Sequence, residues 1–408
     1  MSVKVVEAKK YSVKSLERLI GSAVKELGLD LQNRTKRTAV LKPNIVIPAK
    51  PSSAIITHPA VVEATISVLE ENGFETRNIT IAEGSGLGAD ESRVFEVSGY
   101  SELAARKGVN LVNLNSLDSL NSLNNSLNNS LKKAERTELR WKYGVLKIPK
   151  IVLDADLYVN LPKMKTHGQT VVTLSMKNQK GLLLNSDKKR FHNLGLHEPL
   201  VELAKVVKPD LVVVDGVEGM EGEGPLNGKK KRVGVLVLGT NLLEVDTACC
   251  EIMGVKPESV EHIRAGRKQK IGPAKLNLFG AKVKEEKEEG GVKKKFKQAN
   301  KKYGNILNVY SWRNPYACSM CIDSFSLAVK TGVRSPKYWL RFVPRFSYYA
   351  LFKRLDVIQG KHAKIPEQHG KVICLGDCTR EIAKKNNLTH IKGCPPNPHD
   401  ILEALSSK

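Results

Sequence analysis

The stretch LYVNLPKMKTHG, residues 157–168, decides the fold that we predict for this chain. Its first part, Leu157 to Leu161, is a short apolar run that predicts a buried strand. A proline then starts a loop that carries Lys163, Lys165 and His167. Polar side chains that directly follow a strand lie at the carboxyl edge of a sheet, where open α/β sheets bind their ligands. The stretch therefore predicts a sheet with a ligand site at its edge.

The same alternation of short apolar runs and amphipathic stretches continues on both sides of this segment. It predicts an α/β domain over residues 1–281, in which helices flank a mainly parallel sheet. Further predicted strands are Val3 to Ala8, Ala39 to Val46, Ile79 to Glu83, Val109 to Leu114, Leu211 to Asp215 and Val233 to Leu238. The predicted helices are Val13 to Leu27, Pro59 to Asn72 and Leu243 to Met253.

Two segments of biased composition interrupt this pattern. Residues 114–133 are mostly Asn, Ser and Leu, with a SLNNSLNN repeat, and predict a mobile insertion that packs no core. Residues 282–302 are nearly all Lys, Glu, Gly and Gln, which predicts a charged linker. Residues 303–408 then form a smaller C-terminal module, predicted to be α+β, that contains most of the cysteines.

The charge of the chain is strongly positive, with 66 Lys and Arg against 42 Asp and Glu. Such a chain attracts polyanions, but the basic runs are also typical of a solvated surface, and no nucleic-acid module accompanies them. We therefore expect no nucleic-acid partner. No secretory leader or membrane-spanning run is visible, so we expect a cytoplasmic protein. Tyr338 to Leu355 is the most apolar candidate, but it contains four cations, and Pro344 is expected to split any helix there.

Four cysteines of the C-terminal module have the spacing of a metal or cluster site. Cys318 and Cys321 form a C-x-x-C pair, which lets two thiolates bind one centre from a single turn. Cys378 follows a Gly-Asp pair, and Cys394 lies in Gly-Cys-Pro-Pro-Asn-Pro. Glycines beside these cysteines allow a bulky inorganic core to approach the backbone. Cys374, in an apolar run, is the reserve ligand.

Four thiolates suit either a [4Fe–4S] cluster or tetrahedral zinc, and unligated structural thiols are the third possibility. The Pro-Pro after Cys394 stiffens the chain and removes two amide donors, which favours a cluster over zinc. The order of these motifs resembles the proximal-cluster motif of nickel–iron hydrogenase small subunits. That resemblance implies a cluster and not a hydrogenase.

Donor-rich segments of the α/β domain predict a site for a small anion. Convergent ammonium, guanidinium and imidazole groups neutralise a carboxylate or a phosphate, although each group could instead belong to a solvated basic surface. The predicted substrate-binding residues are Lys42, Asn44, Glu83, Ser85, Lys163, Lys177, Asn178, Arg190 and His192. His167 and Lys165 are the candidates for catalysis. Asp215 to Pro225 is rich in glycine and carboxylates, and predicts a tight loop that could bind a cation or act as a base.

A family resemblance accompanies these motifs. The segments LKPN (41–44), NLPKMKTH (160–167), KGL (180–182), RFH (190–192), DG (215–216), GEGP (222–225) and VD (245–246), with Met176 to Asn178, resemble the proteins grouped as domain of unknown function 362. The resemblance covers about residues 38–268. Members of that family often carry iron–sulfur clusters, commonly in an attached ferredoxin-like segment. This chain lacks the compact run of four cysteines of such segments, so the resemblance implies one cluster rather than two.

Three functions are compatible with these features. The preferred one is a cytosolic iron–sulfur protein that exchanges electrons with a small anionic substrate or cofactor, and with a redox partner protein. The second is a non-redox enzyme that acts on a carboxylate or phosphate compound and has a structural cluster or zinc. The third is a basic binding or scaffold protein for a polyanion. The substrate, the reduction potential and the oligomeric state do not follow from the sequence.

Overall fold

The structure, a computed structural model, describes residues 3–115, 135–272, 278–280, 294–298, 308–312, 317 and 319–407. The predicted insertion at 114–133 and the predicted linker at 282–302 therefore lie largely outside the described residues. The chain divides into two compact units. The first consists of Met1–Lys189 and His197–Gln298, and the second of Arg190–Leu196 and Ala299–Lys408.

One large sheet organises the first unit, and within the described residues it has ten strands. Their bounds are β1 Val3–Glu7, β2 Ala39–Pro43, β3 Ile79–Glu83, β4 Asn110–Asn113, β7 Leu157–Leu161, β8 Lys163–His167, β9 Val171–Thr173, β10 Leu211–Glu221, β11 Lys229–Gly239 and β12 Leu278–Gly280. A separate hairpin is formed by β5 Arg136–Trp141 and β6 Gly144–Pro149.

The pairing of these strands is largely parallel. The order is β12-β1-β11-β10-β7-β2-β3-β4, and β8 pairs with both β10 and β9. Pairs β10–β7, β7–β2, β2–β3, β3–β4, β10–β8 and β1–β12 are parallel. The strand β11 runs antiparallel to both β1 and β10, and β9 antiparallel to β8. A mixed α/β fold with a largely parallel central sheet is thus confirmed.

Helices cover both faces of this sheet. Their bounds are α1 Val13–Glu26, α2 Pro59–Glu71, α3 Val94–Val97, α4 Tyr100–Lys107, α5 Lys150–Leu153, α6 Ser175–Asn178, α7 Asn185–Asn193, α8 His197–Val206, α9 Leu242–Ile252 and α10 Glu261–Lys268. Successive residues of β10 show the two faces: Val213 packs in one apolar cluster with residues of α1 and α2, whereas Val212 and Val214 pack in another with α9.

Two segments predicted to be loops are strands instead. Lys163–His167 is β8, which pairs with β10 and is buried along its whole length. The predicted tight loop after Asp215 is the continuation of β10 to Glu221, and the basic run at residues 229–232 is the start of β11. β10 and β11 form one long antiparallel pair. The register of this pair shifts between Gly216 and Glu218, which is typical of a β-bulge.

The second unit contains a four-stranded sheet within its described residues, with the order β13-β14-β15-β16. The strands are β13 Val309–Trp312, β14 Leu355–Gln359, β15 Lys371–Leu375 and β16 Thr389–Ile391. The helices are α11 Ser319–Arg334, α12 Pro336–Leu351, α13 Arg380–Lys385 and α14 Pro398–Ser406.

The prediction of an α+β module is wrong for this unit, because all three strand pairs are parallel. Parallel neighbours need crossover connections, and α11 with α12 supplies the first of them, between β13 and β14. The expectation that Pro344 splits the helix is also wrong, since α12 continues through it. Pro344 is exposed, so water can bond the carbonyl that loses its amide donor.

None of the described helices is both long and apolar enough to cross a membrane.

Candidate functional site

Buried lysines are the main feature of the first unit. The side chains of Lys42, Lys163 and Lys165 have no exposed surface, and Lys188 is 3% exposed. Lysine is almost never buried unless its charge is paired or its proton is lost. Each of these four residues therefore needs a physical explanation.

Lys42 forms a buried ion pair with Glu83. β2 and β3 are parallel neighbours, so both side chains project from the carboxyl ends of adjacent strands. Lys42 Nζ lies 3.0 Å from Glu83 Oε2, which also accepts a hydrogen bond from the amide of Ile45. Burial lowers the pKa of Lys42 and raises that of Glu83, and the attraction between the two opposes both shifts.

The backbone of Gly181 packs directly against this ion pair. A Cβ atom at Gly181 would lie 2.0 Å from Glu83 Oε1 and 2.7 Å from Lys42 Nζ, so no other residue fits. Gly84 is similarly constrained, since its Cβ would lie 2.4 Å from the carbonyl oxygen of Gly181. The two glycines thus bring the backbone into direct contact with the charged groups.

Lys188 lies beside the same pair, on α7. Its Nζ donates to the carbonyl of Ser85 at 2.7 Å and to Asn115 Oδ1 at 2.7 Å. Burial lowers the pKa of Lys188 to about 7, and the charge of Glu83 partly opposes the shift. Ser85 is held in turn by Asn115, whose Nδ2 donates to Ser85 Oγ at 3.1 Å. The sequence prediction missed Lys188, because the only signal was one helical residue that points inward from a basic run.

Three asparagines connect this region to the neighbouring strand. Asn44 Nδ2 donates to Asn178 Oδ1 at 2.9 Å, and Asn178 Nδ2 donates to Asn160 Oδ1 at 2.7 Å. Asn160 Nδ2 then donates to the carbonyl of Ser175 at 3.0 Å. Two of the predicted residues, Asn44 and Asn178, are therefore brought together, and Asn160 is a member that the prediction did not include.

Asp246 fixes α6, the helix that carries Asn178. Asp246, on α9, accepts hydrogen bonds from the amide of Ser175 at 2.7 Å and the amide of Met176 at 3.0 Å, and so caps α6. Burial raises the pKa of Asp246 to about 7, although these hydrogen bonds oppose the shift.

Lys163 and Asp215 form a second buried ion pair. Lys163 Nζ lies 2.8 Å from Asp215 Oδ2 and donates to the hydroxyl of Tyr11 at 2.8 Å. The Tyr11 hydroxyl donates to Asp215 Oδ1 at 3.0 Å, and the amide of His58 donates to Asp215 Oδ2 at 2.9 Å. Burial lowers the pKa of Lys163, and Asp215 opposes the shift. Nothing in the local sequence of Tyr11 or His58 indicates this distant pairing.

Lys165 has no such carboxylate. Its Nζ donates to the carbonyl of Ile55 at 2.6 Å, its one hydrogen bond to the residues that the structure describes. Burial lowers the pKa of Lys165 well below the usual value, and the charges of Lys177 and Lys163 lower it further. Lys165 is thus an amine that loses its proton easily, and a neutral amine can act as a base or a nucleophile.

His167 ends the same strand and is 2% exposed. Its Nδ1 accepts hydrogen bonds from the amides of Gln169 at 3.0 Å and Thr170 at 3.2 Å. These two donors place the proton of a neutral ring on Nε2. Because side chains alternate along a strand, Lys163, Lys165 and His167 point to the same side of β8.

The other predicted site residues of this group lie on two helices. Lys177 is half-buried on α6, and its charge acts on Lys165. Arg190 and His192 lie in the second half of α7, which belongs to the second unit. They are therefore not assigned to the site formed by the buried lysines of the first unit.

In the second unit, two predicted cysteine ligands converge on one glycine. A Cβ atom at Gly376 would lie 3.1 Å from Cys321 Sγ and 3.8 Å from Cys378 Sγ. The same point lies 3.4 Å from the carbonyl oxygen of Gly393, the residue before Cys394. Gly376 has a φ of +87°, which L side chains rarely adopt. The absent side chain therefore leaves a cradle beside the two sulfurs.

Hydrogen bonds hold the two cysteine loops against each other. The amide of Asp377 donates to the carbonyl of Gly393 at 3.1 Å, and the amide of Gly393 donates to Asp377 Oδ1 at 2.9 Å. His390 Nε2 lies 3.1 Å from the carbonyl oxygen of Gly376. Cys378 and Cys394 are both half-buried on these loops. These hydrogen bonds thus fix the two loops relative to each other.

Cys374, the reserve ligand, lies on the other face of the small sheet. It is fully buried in an apolar cluster with Ile358 and Ala383, whereas its neighbour Ile373 packs in the cluster of Cys321. Burial raises the pKa of Cys374 to about 11.

Cys318 lies outside the described residues. Among those that are described, no three cysteine, histidine or carboxylate side chains form a group that could hold a metal ion.

Comparison with known proteins gives one family. A family model described as "Domain of unknown function (DUF362)" matches residues 39–251, more than half of the chain. A thylakoid-associated protein of Synechocystis, sll1697, is 27% identical over 286 residues, which is 68% of this chain and 82% of that protein.

Two solved structures show more distant similarity. The lactate racemase apoprotein of Thermoanaerobacterium thermosaccharolyticum has 12% identity and a TM-score of 0.37, over 61% of this chain and 57% of that chain. A protein of Thermotoga maritima has 13% identity and a TM-score of 0.37, over 94% of this chain and 93% of that chain.

Proposed function

The chain belongs to the family of domain of unknown function 362, and on that premise we propose that it is an iron–sulfur protein that exchanges electrons with a small anionic substrate or cofactor. The cluster is held by the second unit and the anion by the buried lysines of the first. We place the protein in the cytoplasm, where thiols stay reduced, and expect a redox partner protein.

The observation that carries this proposal is the position of Cys321 and Cys378 around Gly376. Their sulfur atoms lie within 3.8 Å of a point that only glycine leaves empty. Cys321 is in the first turn of α11 and Cys378 in the turn that follows β15, so residues 57 positions apart reach one place.

We propose a [4Fe–4S] cluster with Cys318, Cys321, Cys378 and Cys394 as its ligands, of which Cys318 lies outside the described residues. The backbone of Gly376 comes close to two of the sulfurs, and Gly393, with a φ of +118°, lets its loop turn toward the same place. When bound, a cubane cluster supplies a one-electron redox centre whose potential depends on hydrogen bonds and solvent exposure. Zinc is the alternative occupant of four thiolates.

Anaerobic purification followed by iron and sulfide analysis and paramagnetic resonance, with and without dithionite, tests the proposal. We expect a brown protein with a reducible cluster. Cys378→Ser and Gly376→Ala should remove or destabilise the cluster. Cys374→Ala is the matched control and should retain it, since that thiol faces the other side of the sheet. A colourless protein with stoichiometric zinc would contradict the proposal.

A second candidate function rests on Lys165. An anion bound beside this amine would supply the negative charge that it lacks, and would raise its pKa by attraction. Lys165 and His167 would then form a proton-transfer pair in a non-redox enzyme that acts on a carboxylate or phosphate compound. Such binding favours proton uptake, because the anion raises the pKa that burial has lowered.

Calorimetry with inorganic phosphate and with succinate tests this second candidate. Titration in buffers of different ionisation enthalpy should show proton uptake on binding. Lys165→Ala and His167→Ala should abolish binding and leave the metal content unchanged. If both variants bind as the wild type does, these side chains have no part in the site.

A further inference from the structure

Helix α12 has two faces of different character. Side chains at spacings of four, four and three residues pack into the core of the second unit: Tyr338, Phe342, Phe346 and Tyr349. This spacing is that of one helical face, and it fixes the orientation of α12 on the small sheet. The helix is therefore anchored on one side only.

The opposite side carries large apolar side chains that face water. We define the outer face of α12 by Leu340, Pro344, Tyr348 and Leu351, which recur at the same spacing but start two residues after Tyr338, together with Phe352, which directly follows the helix. Two residues correspond to about 200° around a helix, so the outer face lies opposite the packed face. Leu340 is 76% exposed, Leu351 54% and Phe352 75%.

This exposure is unusual for a helix of a water-soluble surface. Single exposed apolar residues need no explanation, but a contiguous set marks a binding surface. Trp339 of α12 and Val333 of α11 are also 49% and 50% exposed. The aromatic rings of Tyr348 and Phe352 lie 6.4 Å apart, so the outer face is continuous at that end.

The charge of this region has one sign. Residues 324–354 contain seven Lys and Arg and no Asp or Glu. Lys337, Arg341, Arg345 and Lys353 lie along α12 and just after it, and within the part of the chain that the structure describes none of them belongs to an ion pair. Their charges are therefore available to an outside partner.

We propose that the outer face of α12 docks on an anionic lipid surface. A helix that lies in the membrane interface needs an apolar face, aromatic side chains and flanking cations, and α12 has all three. A nucleic acid would use the cations but would leave Leu340 and Phe352 in water. A membrane surface uses both, because acyl chains accept the apolar side chains while anionic headgroups neutralise the cations.

Sedimentation of the full chain with lipid vesicles tests this proposal. We expect binding to vesicles of phosphatidylcholine with phosphatidylglycerol, much weaker binding to phosphatidylcholine alone, and loss of binding at high salt. The double variant Leu340→Ser with Arg341→Glu should weaken binding at least about tenfold, because the change of two charge units acts together with the loss of an inserted side chain.

The matched control is the double variant Val145→Ser with Lys229→Glu. Like the α12 variant, it replaces an exposed apolar residue by Ser and an exposed cation by Glu, but in the first unit, and it should bind as the wild type does. Circular dichroism should show both double variants folded, since all four side chains are exposed. Equal loss in the control, no loss in the α12 variant, or equal binding to neutral vesicles would overturn the proposal. So would retention by an acidic peptide or nucleic acid without retention by anionic vesicles.

Discussion

Lys163 and Lys165 are two residues apart on β8 and equally buried, yet their surroundings differ. Lys163 donates to the carboxylate of Asp215 and to the hydroxyl of Tyr11, and Asp215 also accepts a hydrogen bond from the amide of His58. Lys165 donates to one backbone carbonyl. The same division separates Lys42, which pairs with Glu83, from Lys188, which bonds carbonyl and amide oxygens. Lysines that pair with a buried carboxylate link neighbouring strands and loops. Lysines that lack such a partner have a lowered pKa and lose their proton more easily.

The most severe test of this division is to remove a paired carboxylate. Asp215→Ala leaves the Lys163 ammonium group buried without its partner and leaves the Tyr11 hydroxyl and the His58 amide without their acceptor. The free energy of unfolding should fall by about 3–5 kcal/mol, measured by chemical denaturation. Glu258→Ala, which breaks the exposed pair with Arg267, is the control and should have little effect. A small loss in both would show that the Lys163 pair has no structural role.

The ion pair of Lys42 and Glu83 can be disturbed without removing a charge, by adding a methyl group at Gly181. Gly181→Ala would place its Cβ 2.0 Å from Glu83 Oε1, so the pair or the 3₁₀ turn at Gln179–Leu182 must move. We expect a loss of about 2–3 kcal/mol in unfolding free energy. In Gly21→Ala the nearest atom is 3.7 Å away on a helix, and that variant should gain up to about 1 kcal/mol. Equal stability of the two variants would contradict the close contact.

The proton of Lys188 provides a gentler test. Its pKa is lowered to about 7 in the folded protein, and the unfolded value is about 10.4. The unfolded chain therefore binds more protons between these values, and the stability contribution of this residue rises as the pH increases from about 7 to about 10. Relative to Lys188→Met, the wild type should gain about 1–2 kcal/mol between about pH 7 and about pH 8.5 in denaturation curves. Parallel curves would show that Lys188 is protonated throughout.

Lys165→Met should have the smallest effect on stability and a large effect on ligand binding. It removes one hydrogen bond and one buried amine of unfavourable charge, so the unfolding free energy should change by less than about 1 kcal/mol. Binding of phosphate or succinate should nevertheless fall at least about tenfold. Lys163→Met, the matched variant on the same strand, should be destabilised severely. The reverse order of stabilities would remove the distinction between the two lysines.

The sequence predicted the parallel sheet well because its strands are short apolar runs with clear ends. Leu157–Leu161 and Ile79–Glu83 were predicted to the residue. β8 was misread as a loop, since alternating lysines in a buried strand contradict every rule of hydrophobic pattern. Its burial depends on Asp215 and Tyr11, which are remote in sequence. Local patterns cannot reveal partners of that kind.

The candidate sites were foreseen to different degrees. Lys42 with Glu83, and Asn44 with Asn178, were predicted to share a site, and the structure brings each pair together. Lys188 was not selected, because a helical lysine has many ordinary roles, and Gly181 was noted only as part of the KGL motif of the family resemblance. In the second unit the motif spacing singled out Cys321 and Cys378, but only the fold shows the cradle at Gly376. The cluster itself stays a prediction.

β1 begins at the third residue and pairs with the end of β11, where Val3 lies opposite Gly239. A chain that emerges from the ribosome therefore exposes its first strand until more than 230 further residues have been made. Because β11 lies between β1 and β10, the central sheet cannot be completed before β11 has been made. A chaperone that covers β1 during synthesis would therefore act before the step that completes the central sheet.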